Sequence, residues 1–144
     1  MMRHLSVPLW GMLTCCFVST VAAEPTTQEG YVARALFTSA VENREPVDEI
    51  AVLGNDVEQI YFFTDLRFLD GQTIHHRWEY DGAVIADISF SVEGPRWRIH
   101  SSKRLDPRML GKWTAYVVDE SGVPLKASIF QYVEAEKPTA DDTN

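Results

Sequence analysis

Arginine and histidine side chains alternate along two short segments of this chain, in a pattern that could bind an anion. His75 and Arg77 are two residues apart, and so are Arg98 and His100. Residues two apart on a β-strand point to the same face of a sheet. The default interpretation is a solvated face whose ion pairs contribute little stability. Because guanidinium groups bind carboxylate, sulfate and phosphate through paired hydrogen bonds, the functional hypothesis is a ligand face on which Arg77 and Arg98 hold such a group.

The loop between the first two strands of this region decides which side chains share the face. Both strands flank the turn residues Asp81 and Gly82. A two-residue loop would pair Trp78 with Ile85 and would turn the apolar side chains of the second strand towards the charged face. A three-residue loop pairs Trp78 with Val84 and keeps one face apolar, whereas a slip of one residue would invert that face. We therefore predict the three-residue loop.

In this register His75 lies opposite Asp87, and a third strand, which contains Arg98 and His100, pairs with the second. The predicted polar face comprises His75, Arg77, Glu79, Asp87, Ser89, Ser91, Arg98 and His100. Imidazole and carboxylate groups from His75, His100 and Asp87 could also bind zinc or another divalent ion. However, His100 is diagonal to Asp87 and no His-x-x-x-His motif occurs. We therefore predict neither a metal site nor a cofactor.

The tryptophans are predicted to lie mostly in the core. Trp78 and Trp97 fall on the apolar face of their strands, and His76 beside Trp78 is predicted to be buried and neutral. Trp113 could be a core residue or a partly exposed platform for sugar rings, and we include it among the candidate ligand residues. A glycan-binding surface would be completed by Tyr61, Tyr80 or Tyr116.

Catalytic motifs are weak or absent in the sequence. Ser101, Ser102 and Lys103 could suggest a serine–lysine pair, but adjacent residues on a strand point to opposite faces and nothing indicates a buried lysine. The sequence contains no Gly-x-Ser-x-Gly or His-Glu-x-x-His motif. The acidic segment 42–49 lacks the ligand spacing of a known calcium loop and is predicted to be a solvated connection. We therefore predict that the chain is not an enzyme.

Short segments of alternating polarity, separated by turn residues, predict an all-β domain at residues 31–133. The predicted strands are 32–38, 59–69, 73–79, 83–92, 97–101, 113–118 and 124–133. About seven strands with regularly spaced turns favour an immunoglobulin-like antiparallel β-sandwich. A barrel is the competing architecture. Residues 41–55 are predicted to be a polar loop with an apolar interlude, either a short strand or a turn of helix.

The first 23 residues have the pattern of a secretory signal peptide. Arg3 precedes an apolar run, and small residues lead to a predicted cleavage after Ala23. Residues 24–30 are then predicted to be a flexible leader and 134–144 a disordered acidic tail. An uncleaved membrane anchor and a lipoprotein are the alternatives. The expected location is periplasmic or secreted.

Charge and cysteine content limit what the mature chain could bind. Cleavage removes one of the 13 basic side chains and none of the 21 acidic ones, which leaves a net charge of −9. This charge argues against nucleic acid and against anionic membrane surfaces as partners. Both cysteines, Cys15 and Cys16, lie in the predicted signal peptide, so thiolate catalysis and cysteine zinc sites are not expected.

Several short motifs occur in an order and spacing that resemble the bacterial domain family DUF2914, over residues 33–133. They are Ala35-Leu36-Phe37-Thr38, Glu42-Asn43-Arg44-Glu45-Pro46, Tyr61-Phe62-Phe63-Thr64, His76-Arg77-Trp78, Gly94-Pro95-Arg96-Trp97-Arg98, Ser101-Ser102-Lys103, Gly111-Lys112-Trp113 and Phe130-Gln131-Tyr132. The resemblance implies an exported or membrane-tethered envelope protein. The family has no assigned catalytic residues, so none are transferred.

These observations predict a non-catalytic, exported module that binds another component of the cell envelope. Its partner would be a protein or a glycan, with no nucleic acid and no membrane insertion after cleavage. The alternative is a carbohydrate- or peptidoglycan-binding β-sandwich that uses exposed aromatic side chains.

Overall fold

The computed structural model describes residues 27–137, in which all regular structure is β-strand. The strands are β1 (Tyr31–Thr38), β2 (Val41–Glu42), β3 (Glu45–Pro46), β4 (Val52–Gly54), β5 (Gln59–Arg67), β6 (Thr73–Tyr80), β7 (Ala83–Ser91), β8 (Arg96–Arg104), β9 (Gly111–Val118) and β10 (Pro124–Val133). The predicted signal peptide and the end of the predicted tail lie outside the described residues. No helix long and apolar enough to cross a membrane was found within 27–137.

Eight of the strands form two sheets that pack face to face, which confirms the predicted all-β sandwich. The small sheet has the order β1-β5-β8 and the large sheet the order β4-β10-β9-β6-β7. Neighbouring strands are antiparallel, except that β4 runs parallel to β10. The strand count is ten rather than about seven because residues 41–55 contain the β2–β3 hairpin and β4. The hairpin was not predicted within this polar loop, whereas β4 agrees with the short-strand alternative for its apolar interlude.

Aromatic rings from both sheets meet at the centre of the core. The Phe37 ring centroid lies 5.2 Å from that of Phe62 within the small sheet. It also lies 5.5 Å from the Trp78 ring and 4.7 Å from the Phe130 ring, both in the large sheet. All four side chains are buried, so the hydrophobic effect holds the two sheets together at this point.

A buried hydrogen-bond network also crosses the core. His76 Nε2 lies 3.0 Å from Thr64 Oγ1, and His76 Nδ1 lies 2.9 Å from Ser101 Oγ. Trp78 Nε1 donates to the same Ser101 oxygen at 3.0 Å. Burial, with a smaller contribution from His100, lowers the pKa of His76 to about 3. The prediction of a buried, neutral His76 is therefore confirmed.

The predicted three-residue loop between β6 and β7 is wrong. Tyr80 pairs with Ala83, so the turn contains only Asp81 and Gly82. Both turn residues have positive φ, 47° and 81°, as a type I′ hairpin turn requires.

A β-bulge in β7 nevertheless keeps most of the apolar side chains of β6 and β7 on one face. Glu79 pairs with Val84, but the preceding residue of β6, Trp78, pairs with Ala86. Ile85 is the extra residue, and it shifts the register so that the inward side chains of β6 and β7 still share one face. The apolar face was therefore predicted correctly for Ala86, Ile88 and Phe90, but Val84 lies opposite Glu79 on the outer face and the predicted pairing is wrong.

The predicted pairing of β8 with β7 is also wrong. β8 crosses to the small sheet and pairs with β5, where Trp97 lies opposite Leu66 and His100 opposite Phe63. Ile99 of β8 still points into the core. Beside β7 or beside β5, this strand would bury the same alternate residues. The alternation in the sequence therefore could not indicate which of the two sheets contains β8.

Candidate functional site

The polar face predicted from the sequence is divided between the two sheets. His75, Arg77 and Asp87 lie on the outer face of the large sheet, whereas Arg98 and His100 lie on the outer face of the small sheet. The outer faces of a sandwich point in opposite directions. Arg77 and Arg98 therefore cannot hold the same small anion, and the prediction of one shared ligand face is wrong.

On the large sheet, the predicted pairing of His75 with Asp87 is wrong, but the two side chains are still in contact. His75 lies opposite Ser89, and Arg77 lies opposite Asp87. His75 Nδ1 nevertheless reaches diagonally to Asp87 Oδ1, at 2.6 Å. Diagonal neighbours on one face are within reach of long side chains.

Arg77 is held against its own sheet. Its Cζ lies 4.9 Å from the centroid of the Tyr116 ring, and its Nε lies 3.4 Å from Glu79 Oε1. The cation–π contact and the neighbouring carboxylate hold the guanidinium group against the outer face of the large sheet.

Trp113 is a core residue, so the exposed-platform alternative is wrong. Its side chain is 1% exposed and its Nε1 donates to Met109 O at 3.1 Å. Tyr80 packs against it with a centroid distance of 4.9 Å, and Phe130 stacks on it at 6.2 Å.

The outer face of the small sheet holds a charge cluster that sequence reasoning missed. Strand pairing places Arg34 of β1, Asp65 of β5 and Arg98 of β8 in one row. Arg67 of β5 and Arg96 of β8 form the next row on the same face. We call these four arginines and Asp65, together with Glu45 of the β2–β3 hairpin, the arginine face.

Asp65 is the buried centre of the arginine face. Its side chain is 1% exposed. Its Oδ2 accepts from Arg34 Nη2 at 3.4 Å, from Arg67 Nη2 at 3.3 Å and from Arg96 Nη2 at 3.3 Å. Three guanidinium groups thus compensate for the cost of burying one carboxylate. Arg67 Nε also lies 3.1 Å from Asp65 Oδ1, but without the alignment of a hydrogen bond.

Glu45 is the second carboxylate of the arginine face, and it bridges the two flanking strands. It accepts from Arg34 Nη2 at 2.8 Å and pairs with Arg98 Nη1. The hydrogen bond from Arg34 is the main reason that the pKa of Glu45 is lowered. Unlike Asp65, this carboxylate is partly exposed.

The hairpin that carries Glu45 is fixed by its own local structure. Asn43 and Arg44 at its tip have φ values of 51° and 63°, which a tight two-residue turn requires. At its base, Asp48 Oδ1 accepts from Thr38 Oγ1 and from Ser39 N, both at 2.7 Å. Hydrogen bonds from the side chain and the backbone of Ser39, followed by that from the Thr38 side chain, lower the pKa of Asp48. Two of the four carboxylates of the acidic segment, those of Glu45 and Asp48, are therefore used within the fold.

An aromatic side chain supports the cluster from below. Phe63 is buried on the outer side of β5, and Arg34 Cζ lies 5.0 Å from its ring centroid. Next to it, the exposed His100 packs against Tyr61 with centroids 6.1 Å apart. The face therefore continues from guanidinium groups to an imidazole along β8.

The face provides an excess of positive charge in an acidic protein. Four arginines and two carboxylates give it a net charge of +2, whereas the whole chain has a net charge of −8. Within residues 27–137, no cavity was detected and no group of metal-binding side chains was found. The excess of guanidinium groups at an open surface is chemically suited to an anionic group.

Comparison with known proteins identifies part of the chain. Residues 71–132 match the family model described as "Protein of unknown function (DUF2914)", which confirms the resemblance over the segment from β6 to β10. The match includes Arg96 and Arg98 but begins after the strands that carry Arg34 and Asp65. No curated protein matches the chain significantly.

Proposed function

We propose that this chain, whose residues 71–132 match the DUF2914 family model, is a non-catalytic binding module that recognises an anionic group of its partner at the arginine face. The observation that carries the proposal is the convergence of three guanidinium groups from three strands on one buried carboxylate, Asp65, with a fourth, that of Arg98, beside them and paired with Glu45. Two positive charges are left without a carboxylate of their own. A carboxylate, sulfate or phosphate group suits such donors.

The exposure of the donors supports binding at the surface. Arg96 is 50% exposed, and Arg34 and Arg98 are partly exposed, so each has N–H groups that a ligand can reach. Asp65 and Phe63 hold the guanidinium groups in place beforehand, and ordered donors lose less conformational entropy on binding. An open sheet face without a detected cavity among residues 27–137 fits binding better than chemistry on a small substrate.

The proposed setting is the cell envelope, in the periplasm or outside the cell. It is supported by the signal-like pattern of residues 1–23. The partner would be an envelope protein or glycan that carries the anionic group.

Glycan binding through exposed aromatics is the second candidate, and one observation favours it. Tyr31 and Phe68 are both exposed and their ring centroids lie 6.4 Å apart. Tyr31 lies opposite Arg67, so this pair borders the arginine face. Neutral oligosaccharides binding at Tyr31 and Phe68 would favour this candidate over anion recognition.

An anion titration tests the main proposal. The chain, purified in the form that an exporting bacterium produces, is titrated with inorganic phosphate, sulfate and citrate at constant ionic strength while backbone amide NMR shifts are followed. We expect saturable shifts in β1, β5 and β8. The double variant Arg96→Ala/Arg98→Ala should lose them.

The matched control is Arg77→Ala/Arg108→Ala, which removes the same charge from outside the arginine face and should leave the shifts intact. Shifts that do not saturate, or that both double variants weaken equally, would overturn the proposal. The same two variants then serve in a capture experiment with envelope extract, analysed for protein and sugar.

A further inference from the structure

The four edges of the two sheets differ in how they are protected from pairing with another chain. Exposed edge strands are usually short, covered or charged. β4 has only three residues. β8 carries four charged side chains, Arg96, Arg98, Lys103 and Arg104. β1 lies against β10 of the other sheet, where Ser128 Oγ donates to Ala35 O at 2.7 Å.

β7, the fourth edge, has little such protection. It is nine residues long and contains no lysine, arginine, proline or glycine. Its single charged residue, Asp87, is already bonded to His75. Among residues 27–137, no strand pairs with the side of β7 that faces away from β6. The bulge at Ile85 affects only the end next to the turn, so the stretch from Ala86 to Ser91 remains regular.

The small sheet does not fully cover β7. Ala86, Ile88 and Phe90 point inward but are only half-buried, whereas the inward side chains of β6 are fully buried. On the outer side, Val84 is 58% exposed. An additional strand beside β7 would bury apolar side chains and satisfy a row of backbone groups at the same time.

We propose that this edge pairs with β7 of a second copy of the chain, in antiparallel orientation, with the twofold axis at Ile88. Charge and side-chain size together select the register. An axis at Asp87 would place two carboxylates directly opposite each other, which is unfavourable. An axis at Ile88 instead places each Asp87 opposite Ser89 of the other copy, whose hydroxyl can donate to the carboxylate.

Side-chain size agrees with this register. The axis at Ile88 places each Phe90 opposite Ala86 of the second copy, so that a large side chain faces a small one. The two Ile88 side chains meet at the axis. All of these lie on the inward face, so two half-buried apolar rows become one. The two large sheets would then form a continuous sheet of ten strands.

Charge changes at an exposed position test both the dimer and its register. The protein is purified in the form that the exporting cell produces. Its molecular mass in solution is measured by light scattering and sedimentation velocity over micromolar to millimolar concentrations. We expect a reversible dimer in the native sequence. Ser89→Asp creates two carboxylate pairs across the axis and should raise the dimer dissociation constant roughly 2- to 30-fold. Ser89→Lys creates two opposite-charge pairs and should lower it.

Ser91→Asp is the matched control, because it adds the same charge on the same face but lies opposite Ile85 of the second copy. It should leave the dissociation constant nearly unchanged, and circular dichroism verifies that each variant is folded. A monomer at every concentration would overturn the proposal. So would a dimer that Ser89→Asp does not weaken, or one that Ser91→Asp dissociates as strongly, since another surface or another register would then be responsible.

Discussion

Acidification from pH 7.5 to pH 5.0 is expected to destabilise the fold through His76. The side chain is fully buried between Thr64 and Ser101, and burial lowers its pKa from 6.5 to about 3. The unfolded chain therefore takes up a proton near pH 6.5, whereas the folded chain does not. The stability that the neutral His76 contributes is fully present above pH 6.5. It is lost progressively as the pH falls towards the pKa of His76 in the folded state.

The size of the effect follows from the pKa difference. Each pH unit below 6.5 costs about 1.4 kcal/mol of unfolding free energy while the folded His76 remains neutral. The interval from 6.5 down to 5.0 therefore costs about 2 kcal/mol. Glu45 and Asp48 have lowered pKa values, so their contributions are lost only below their ordinary pKa values of 4.5 and 3.8. A lower limit of pH 5.0 largely excludes them.

Urea unfolding at several pH values, monitored by tryptophan fluorescence, measures this loss. His76→Gln removes the titrating group but keeps a polar side chain, so its unfolding free energy should change little between pH 7.5 and 5.0. His75→Gln and His100→Gln are the controls, and both should retain most of the decrease. If the native chain and His76→Gln lose stability in parallel, the reasoning about His76 is refuted.

Three further changes probe the arginine face and the core. Asp65→Ala should lower the free energy of unfolding by about 1–3 kcal/mol in urea, because three arginines lose their shared carboxylate but remain partly hydrated; an unchanged value would contradict the central role of Asp65. Glu45→Gln should tighten phosphate binding in the NMR titration, since it releases Arg34 and Arg98, and equal or weaker binding would count against a ligand between them. Phe37→Ala should cost about 3–5 kcal/mol through the cavity it leaves, and a loss below 1 kcal/mol would mean that the core rearranges to fill it.

Local sequence predicted most of the individual strands and their faces. Ile74, His76 and Trp78 alternate with polar residues, and all three are buried as expected. Asp81 and Gly82 mark the turn that follows them. These features depend on the two-residue period of a strand and on local backbone conformation, and both can be read from a few neighbouring residues.

The candidate site required the tertiary structure. Asp65 and Arg67 are recognisable from the sequence as the polar side of β5, and Arg96 and Arg98 as that of β8. The sequence does not indicate that β8 leaves β7 to pair with β5, or that the β2–β3 hairpin places Glu45 beside Arg98, 53 residues away. A two-residue period fixes the face of a side chain. Its neighbours on that face depend on which distant strands form backbone hydrogen bonds, and only the packing of the complete core decides that.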